Sequence, residues 1–522
     1  MAKELYDING LQTPFTLNRD LSPYDMPPQY FSDGENIQFT RKGAGSCLGH
    51  LQVLGTPTAT PYWAISWDKG GTDLWIYGTL TNLYKISGVT HSSVTRSSGA
   101  YTTLSGTTKN WSGGILGGVL VVTNGINVPQ SFTQGGSLFT DLPQWPSTLL
   151  CQTIVPFKNH LVALNLTDNG TAYPFSLRWS DAIPEGAIDN GTNTWNTAST
   201  SSEAAQVTLG GTPGHILNAK QLGNELIIYK EDSVYSLTYV GGSYTFNVKE
   251  KFKDTGLFSK FAVVDLGDNR HAMLSTNDFV IHNGNSLKSA ITDQMKAFLF
   301  GEIDSTYYYK TFLAHNKNNS EVWICYPQTG ATNGFPNKAL VWNYVDNTWA
   351  VRDLPSCSFI AKGLVNPNLT NTWSASSDTW NTNIVNWARP EFNPAVESLL
   401  VCGTNDTKFY LENKSLTFDG TSFTKRLERY GLHAGRSTQT KKVTKLIPRF
   451  EGTGSIQISV GAENDPYEGI TYANPVTFTI GEDYKVDCRV RGRYIAVKFE
   501  STTDNEFRLS GYTFETEVAG DR

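Results

Sequence analysis

The sequence predicts an all-β protein whose main body is a β-propeller of six or seven irregular blades. Charged residues make up only 17% of the 522 residues and aromatic residues 12%, a composition typical of β-rich proteins. Between His215 and Phe252, four alternating apolar stretches are separated by short polar or glycine-rich breaks. This antiparallel meander of about 40 residues is the size of one propeller blade.

Similar units recur on both sides of this meander. We therefore predict a propeller-like body over residues 59–424, with short strands within 62–88, 110–133, 151–181, 261–284, 309–354, 356–364 and 398–413. The spacing of the units varies from about 35 to 55 residues and no strict repeat motif occurs. The sequence thus leaves a choice between six and seven blades.

Residues 1–58 are predicted to form an irregular N-terminal leader. The Pro27-Pro28 pair and the Ser32-Asp33-Gly34 turn interrupt the segment, and only Asn36–Arg41 has a strand pattern. Its aromatic residues favour docking on a larger body or a neighbouring subunit over a disordered tail, and they are Phe15, Tyr24, Tyr30, Phe31 and Phe39.

Two segments of the body differ from the strand pattern. Residues 286–304 are predicted to be helical, because Ile291, Met295, Phe298 and Leu299 share one helical face. Residues 366–397 lack a strand pattern and are predicted to be an inserted loop. The three tryptophans of this loop favour burial, for example against another subunit.

The last hundred residues, 425–522, have longer alternating strands than the body. This pattern predicts a C-terminal β domain, which is either a separate β-sandwich or a sheet packed on the edge of the propeller.

Composition also excludes several classes of protein. The net charge of −6 argues against a protein that wraps nucleic acid by neutralising phosphates. No apolar run approaches 18 residues, so we expect no membrane insertion, and the N-terminus lacks the apolar core of a signal peptide. The cysteines are scattered without a CxxC pair, which predicts free thiols, and they are Cys47, Cys151, Cys325, Cys357, Cys402 and Cys488.

The sequence predicts no catalytic, cofactor-binding or metal-binding residues, and we expect that the protein is not an enzyme. The fragments Asp346–Trp349 and Ser377–Trp380 are similar to the Asp-containing β-turns of sialidases but lack the full S-x-D-x-G-x-T-W spacing. No G-x-S-x-G, P-loop, GxGxxG or HExxH motif occurs. A carbohydrate-binding or glycan-processing propeller, which would be a receptor-binding protein or a glycosidase, remains the alternative, with glycan binding by the loop 366–397.

Two sets of side chains are candidate binding sites. His271 and His282 fall on adjacent predicted strands without a third ligand nearby, which favours surface or hydrogen-bonded histidines over a metal site. Arg489, Arg491 and Arg493 alternate along one strand. A solvated or subunit-facing strand that pairs with acids such as Glu500 is favoured over nucleic-acid binding.

Two further clusters have simple structural interpretations. Lys230, Glu231 and Asp232 are expected in a solvated turn between two strands. The three tyrosines of 307–309 favour packing at the start of a strand over a stacking platform.

The segment 17–50 contains an ordered series of short motifs, namely Asn18-Arg19-Asp20, Pro27-Pro28, Tyr30-Phe31, Asp33-Gly34-Glu35-Asn36, Ile37–Phe39, Arg41-Lys42 and Gly49. This series resembles the opening of a family of short-tailed bacteriophage virion proteins. Three later segments also resemble the family, namely 177–186, 227–259 and 492–515. The chain departs from the family at Leu17, where a glycine is common, and in the loop 366–397, which has no counterpart.

The resemblance implies a podovirus tail nozzle or tail hub, also called packaged-DNA stabilisation protein or tail tubular protein B. Such a protein is a structural part of the virion, made in the cytoplasm of the host bacterium. It would assemble as a homohexameric ring below the portal and adaptor, retain the packaged genome and conduct DNA during ejection. The implied partners are head-to-tail connector proteins, tail fibres or needle proteins, and double-stranded DNA that passes without sequence-specific contacts.

Overall fold

The computed structural model describes residues 3–69, 73–104, 110–242, 244–291, 294–365 and 397–521. Within these ranges the protein is nearly all-β, with one short α-helix, as the composition predicts. The predicted inserted loop 366–397 lies, except for Glu397, outside the described residues. No helix of the described part is long and apolar enough to cross a membrane.

The N-terminal leader contains seven short strands. The prediction of an irregular leader is therefore wrong. The strands are β1 Lys3–Asn9, β2 Thr16–Leu17, β3 Tyr30–Phe31, β4 Asp33–Glu35, β5 Ile37–Thr40, β6 Gly43–Ser46 and β7 Gly49–Val53. Only β5 matches the predicted strand. The others were missed because they are short and because most of their partners lie hundreds of residues away, so no local alternation marks them.

Docking of the leader is confirmed by the burial of its aromatic side chains. Phe15, Phe31 and Phe39 are almost fully buried and belong to the largest apolar core of the protein. Phe31 contacts both other rings, with ring centroids 5.5 Å from Phe15 and 6.1 Å from Phe39.

Four-stranded antiparallel sheets make up the body, and the described residues contain seven of them. The first is β8 Trp63–Asp68, β9 Asp73–Gly78, β10 Leu83–Ser87 and β11 Thr90–Ser93. The second is β12 Ser112–Leu116, β13 Val119–Thr123, β14 Gln130–Phe132 and β15 Thr140–Asp141. The third is β16 Leu149–Phe157, β17 His160–Asp168, β18 Thr171–Trp179 and β19 Ala205–Thr208.

The fourth sheet is the meander that the sequence marks most clearly, β20 Ile216–Leu222, β21 Glu225–Lys230, β22 Ser233–Tyr239 and β23 Phe246–Lys253. The fifth is β24 Val263–Gly267, β25 Arg270–Leu274, β26 Phe279–His282 and β27 Leu287–Ser289. The sixth is β28 Phe312–Asn316, β29 Glu321–Tyr326, β30 Lys338–Asn343 and β31 Thr348–Asp353. In all six sheets the strands pair in chain order.

The seventh sheet combines two distant parts of the chain. Its first three strands are β32 Cys357–Gly363, β33 Ser398–Gly403 and β34 Phe409–Ser415. Its fourth strand is β7 of the leader, which pairs antiparallel with β34. The first strand of this sheet, β32, lies beside β8, the first strand of the first sheet.

The helix predicted over residues 286–304 is shorter in the structure. Its first part is the edge strand β27, and the helix α1 covers only Lys296–Glu302. The apolar positions Ile291, Met295 and Leu299 are buried. Their spacing predicts one long helical face because buried residues in a turn and a short helix can have the same spacing.

Two six-stranded sheets form the C-terminal part. Their strands are β35 Lys425–Leu432, β36 Gln439–Gly452, β37 Ser455–Glu463, β38 Thr471–Tyr472, β39 Val476–Thr479, β40 Val486–Gly492, β41 Tyr494–Ser501 and β42 Phe507–Asp521. The leader supplies β1, β5 and β6 to one sheet and β4 to the other. Phe499 of one sheet contacts Phe450 and Tyr512 of the other, with ring centroids 5.6 and 5.5 Å apart.

Candidate functional site

Two cavities lie along the first strands of the seven sheets. The narrow cavity, of about 420 Å³, is lined by residues of the first strand of every sheet, among them Ala64, Gly113, Ile154, Ala219, Val263, Ala314 and Ala361. The wide cavity, of about 770 Å³, lies toward the starts of the same strands, where its lining includes Tyr62, Asn110, Gln152, His215, Ser259, Thr311 and Ser358. Phe261 lines both cavities. The two cavities are therefore the places where all seven sheets could contact one ligand.

Lys260 crosses the wide cavity and links three sheets. It precedes β24, and its Nζ donates hydrogen bonds to the backbone oxygens of Asn110 (3.1 Å) and Gln152 (2.8 Å). The Asn218 side chain donates to the backbone oxygen of Lys260 at 2.7 Å. Burial lowers the pKa of Lys260 to about 7. This amino group therefore joins the start of the fifth sheet to the second and third sheets through carbonyl groups and not through a carboxylate.

One wall of the wide cavity is aromatic. Tyr308 and Tyr309 line it, and the Tyr308 ring packs edge-on against Phe258 with centroids 5.4 Å apart. The Lys310 ammonium lies 3.6 Å from the centroid of the Phe335 ring, a cation–π distance. Residues 308–310 form a short 3-10 helix directly before β28. The tyrosines thus pack at a strand start, as predicted, and Tyr308 is also partly exposed to the cavity.

Lys230 is buried, which corrects the prediction of a solvated turn. It is the last residue of β21, and its Nζ donates to the backbone oxygens of Leu209 (3.0 Å) and Thr212 (2.5 Å). Burial lowers the pKa of Lys230. Glu231 and Asp232 do line the wide cavity. The sequence locates the turn but not the loop 209–212, which covers the lysine.

His271 and His282 form a hydrogen-bonded chain with Tyr229 of the fourth sheet. The two histidines are opposite each other in β25 and β26. The Tyr229 hydroxyl lies 2.6 Å from Nδ1 of His271 and 2.8 Å from Nε2 of His282. This geometry confirms the interpretation as hydrogen-bonded histidines. Within the described ranges no three His, Cys, Asp or Glu side chains are grouped as a metal site requires.

The hydrogen bonds of this chain define one proton arrangement. The Gly284 N–H donates to Nδ1 of His282 at 3.2 Å, so Nε2 of His282 carries the proton and donates to the tyrosine oxygen. The Tyr229 O–H then donates to Nδ1 of His271, whose Nε2–H donates to the Gln221 oxygen at 2.9 Å. Burial lowers the pKa of His271 to about 4 and that of His282 to about 3. Both imidazoles are therefore neutral at physiological pH.

The solvated strand predicted for residues 489–493 is confirmed for Arg489 and Arg491, but the predicted pairing with Glu500 is wrong. Arg489 and Arg491 lie exposed on β40, an edge strand, whereas Glu500 lies in the other C-terminal sheet, 3.7 Å from Lys498. Arg491 instead donates to the backbone oxygen of Ala519 at 3.4 Å. Strand alternation predicts that the arginines share a face, but it does not identify the neighbouring sheet.

The cavity residues Lys260, Lys220, His315 and Lys362 were not identified from the sequence. Each lies in or directly before the first strand of a predicted unit. A polar residue at that position of several units was the only available signal. This signal is weak because strand residues that face solvent are also polar.

No protein-family model matches the chain, and no curated protein matches it. Solved structures similar to it include the computationally designed Ika8 protein, with 9% sequence identity and a TM-score of 0.37, covering 69% of this chain and 99% of that one. The N-terminal domain of Nup159 is similar at 10% identity and a TM-score of 0.37, covering 72% of this chain and 97% of that domain.

Proposed function

We propose that the chain is a structural protein of a short-tailed phage tail, of the nozzle or hub type, and that its seven sheets form a closed seven-bladed propeller. Closure is supported by the contact of β8 with β32 and by the lining of the narrow cavity by all seven first strands. It is supported further by β7, which precedes the first sheet in the chain and completes the seventh. A strand exchanged in this way joins the two ends of a propeller.

The observation that carries the proposed role is the position of the segment 17–50, on which the family resemblance chiefly depends. This segment joins the parts of the molecule. Its strand β4 pairs with β35, β6 pairs with β42, and β7 pairs with β34. The body and both C-terminal sheets are therefore held by one stretch of about 35 residues, as suits a subunit of a tube wall.

The individual residues of the resemblance have matching structural roles. Asp20 accepts hydrogen bonds from the backbone N–H groups of Ala297 (2.7 Å) and Phe298 (2.9 Å) at the start of α1. A Cβ atom at Gly49 would lie 2.1 Å from the backbone oxygen of Thr417, so only glycine fits there. These residues maintain the joints, and none of them needs a catalytic role to explain it.

Asn36 is the central residue of these joints. It is fully buried, has a positive φ of 58°, and its side chain donates to Asp353 Oδ2 and the Thr424 oxygen, both at 2.8 Å. Its Oδ1 accepts the N–H of Asp353 at 2.8 Å. Asn36 thus connects the leader, the sixth sheet and the segment before β35.

In the proposed tail, six copies surround a passage for DNA. Each copy carries a net charge of −6, so the ring would carry about −36. An acidic wall lowers the affinity for phosphates and lets the duplex slide. The proposed partners are the connector above the ring and the fibres or needle attached to it.

Electron microscopy of purified particles of the phage that encodes the chain tests this role. We expect density for six copies below the portal, and a released ring of about 350 kDa, six times 57.6 kDa. Particles that contain one copy or none would overturn the proposal. If the chain instead binds oligosaccharides on a glycan array and is absent from particles, the carbohydrate-binding alternative is favoured.

A further inference from the structure

Polar side chains from four consecutive sheets gather at the far end of the narrow cavity. Lys220 of β20, His315 of β28 and Lys362 of β32 line it, and Asp265 of β24 lies close enough to interact electrostatically with Lys220. Each residue lies in the first strand of its sheet, beyond the apolar residues that line the rest of the cavity. The cavity therefore has an apolar middle and a charged end.

The two lysines of this cluster lack partners in the described part of the chain, where neither Nζ has an ion pair or a hydrogen bond. Burial and, secondarily, the positive charge of Lys362 lower the pKa of Lys220 to about 8. Lys220 is half-buried, whereas Lys362 is exposed at the mouth of the cavity. An anion placed between two ammonium groups lowers their mutual repulsion.

His315 forms part of the cavity wall near the two lysines. Its side chain is 96% buried, with a relative exposure of 4%. Its Nε2 lies 3.2 Å from the Tyr344 hydroxyl. Its Nδ1 is enclosed by protein atoms, and the backbone of Asp265 lies near the imidazole. The histidine therefore shapes the cavity, and the two lysines supply its positive charge.

The negative charge of Asp265 disfavours an anion at this site, but the positive charges of the two lysines are larger in sum. It is exposed, and its Oδ1 already accepts the N–H of Gly267 at 2.8 Å. With a neutral histidine, the four side chains sum to a net charge of +1, from two lysines and one aspartate.

We propose that the narrow cavity binds a small organic anion, with its carboxylate between Lys220 and Lys362 and its apolar part along the first strands. The apolar lining includes Ile65, Val155, Val263 and Phe359. A volume of about 420 Å³ is in the range of small-molecule sites. This site belongs to each subunit and does not depend on the proposed role in a phage tail.

Calorimetric titration of the full chain with octanoate, octan-1-ol and inorganic phosphate tests the site. We expect octanoate to bind with one site per chain and more tightly than the other two probes. K220Q and K362Q should each lower its affinity about tenfold, the effect of one lost charged hydrogen bond. K288Q removes the same charge from an exposed lysine outside the cavity and should bind octanoate like the unaltered chain.

Three results would overturn the proposal. They are octan-1-ol binding as tightly as octanoate, octanoate binding that K220Q and K362Q leave unchanged, and the absence of octanoate binding. If either lysine variant unfolds at a lower temperature than K288Q, the arginine variants K220R and K362R provide the second comparison. These keep the charge and should keep most of the octanoate affinity.

Discussion

The joint between the sixth and seventh sheets and the joint between the fourth and fifth are both polar and buried, but only the first is charged. In the first, Arg352 of β31 contacts Glu412 of β34, with Nη2 and Oε2 2.5 Å apart. The same guanidinium donates to Asn413 Oδ1 and to the Leu48 oxygen of the leader, both at 2.7 Å. In the second, Tyr229 and the two histidines form a neutral hydrogen-bonded chain.

The difference in charge between the two joints follows from the number of chain segments that meet at each. The fourth and fifth sheets are consecutive in the chain, so a few directional hydrogen bonds suffice to fix their contact. The joint of the sixth and seventh sheets must also hold the leader, which returns from the other end of the sequence. A guanidinium with five N–H donors can bind two other segments at once, here β34 and the leader, and so join both to its own strand. The charged joint should therefore be costlier to break, since a lone buried charge is far less stable than a lone buried hydroxyl.

The largest effect is expected for R352M. The substitution leaves Glu412, whose side chain is 1% exposed, without its cation and removes the guanidinium that lies 4.4 Å from the Trp323 ring centroid. We expect a loss of roughly 3–5 kcal/mol in the free energy of unfolding, measured by urea denaturation. The double variant R352M/E412L removes both charges and should recover part of this loss. A loss below about 1 kcal/mol in R352M would show that the pair is solvated.

N36A should have the next largest effect. It removes three side-chain hydrogen bonds and places an alanine at a φ of 58°, and we expect a loss of about 2–4 kcal/mol in urea denaturation. The matched control is N36G, which loses the same hydrogen bonds but adopts this φ without strain. N36G should therefore be more stable than N36A. Equal stabilities would exclude a contribution from backbone strain.

Local pattern explains which parts of this fold the sequence predicts. The meander at 215–252 was predicted because each of its strands pairs with a neighbour in sequence. The strands of the leader were mostly not predicted, because their partners are distant in sequence. For example, Lys3 of β1 pairs with Glu517, and Gly34 of β4 pairs with Leu427. The blade count stayed open for the same reason, because the fourth strand of the seventh sheet comes from the leader.

For the candidate sites, too, contacts within one sheet were predicted and contacts between sheets were not. The adjacency of His271 and His282 follows from one hairpin, whereas their partner Tyr229 belongs to the previous sheet. The burial of Lys230 and the separation of Arg491 from Glu500 depend on loops and sheets that no local pattern identifies. Sequence periodicity thus predicts neighbours within a sheet, and contacts between sheets require the structure.

The last expected effect is the acid response of the neutral joint. The pKa values of His271 and His282, about 4 and about 3, lie below the ordinary value of 6.5. Between these values the unfolded chain binds protons that the folded chain does not, so stability is fully present above about pH 6.5 and falls as the pH falls toward 4. A proton on Nδ1 of either imidazole would face a group that already donates to it, the Gly284 N–H or the Tyr229 O–H.

Between about pH 7.5 and about pH 5, we expect each of the two histidines to lower the free energy of unfolding by about 2 kcal/mol, measured by urea denaturation at each pH. The variant H271Q/H282Q should lose part of this slope while being less stable at pH 7.5. The remaining slope belongs to His50, His91 and His315, whose pKa values burial also lowers. A double histidine variant with the full slope would place the acid sensitivity outside this joint.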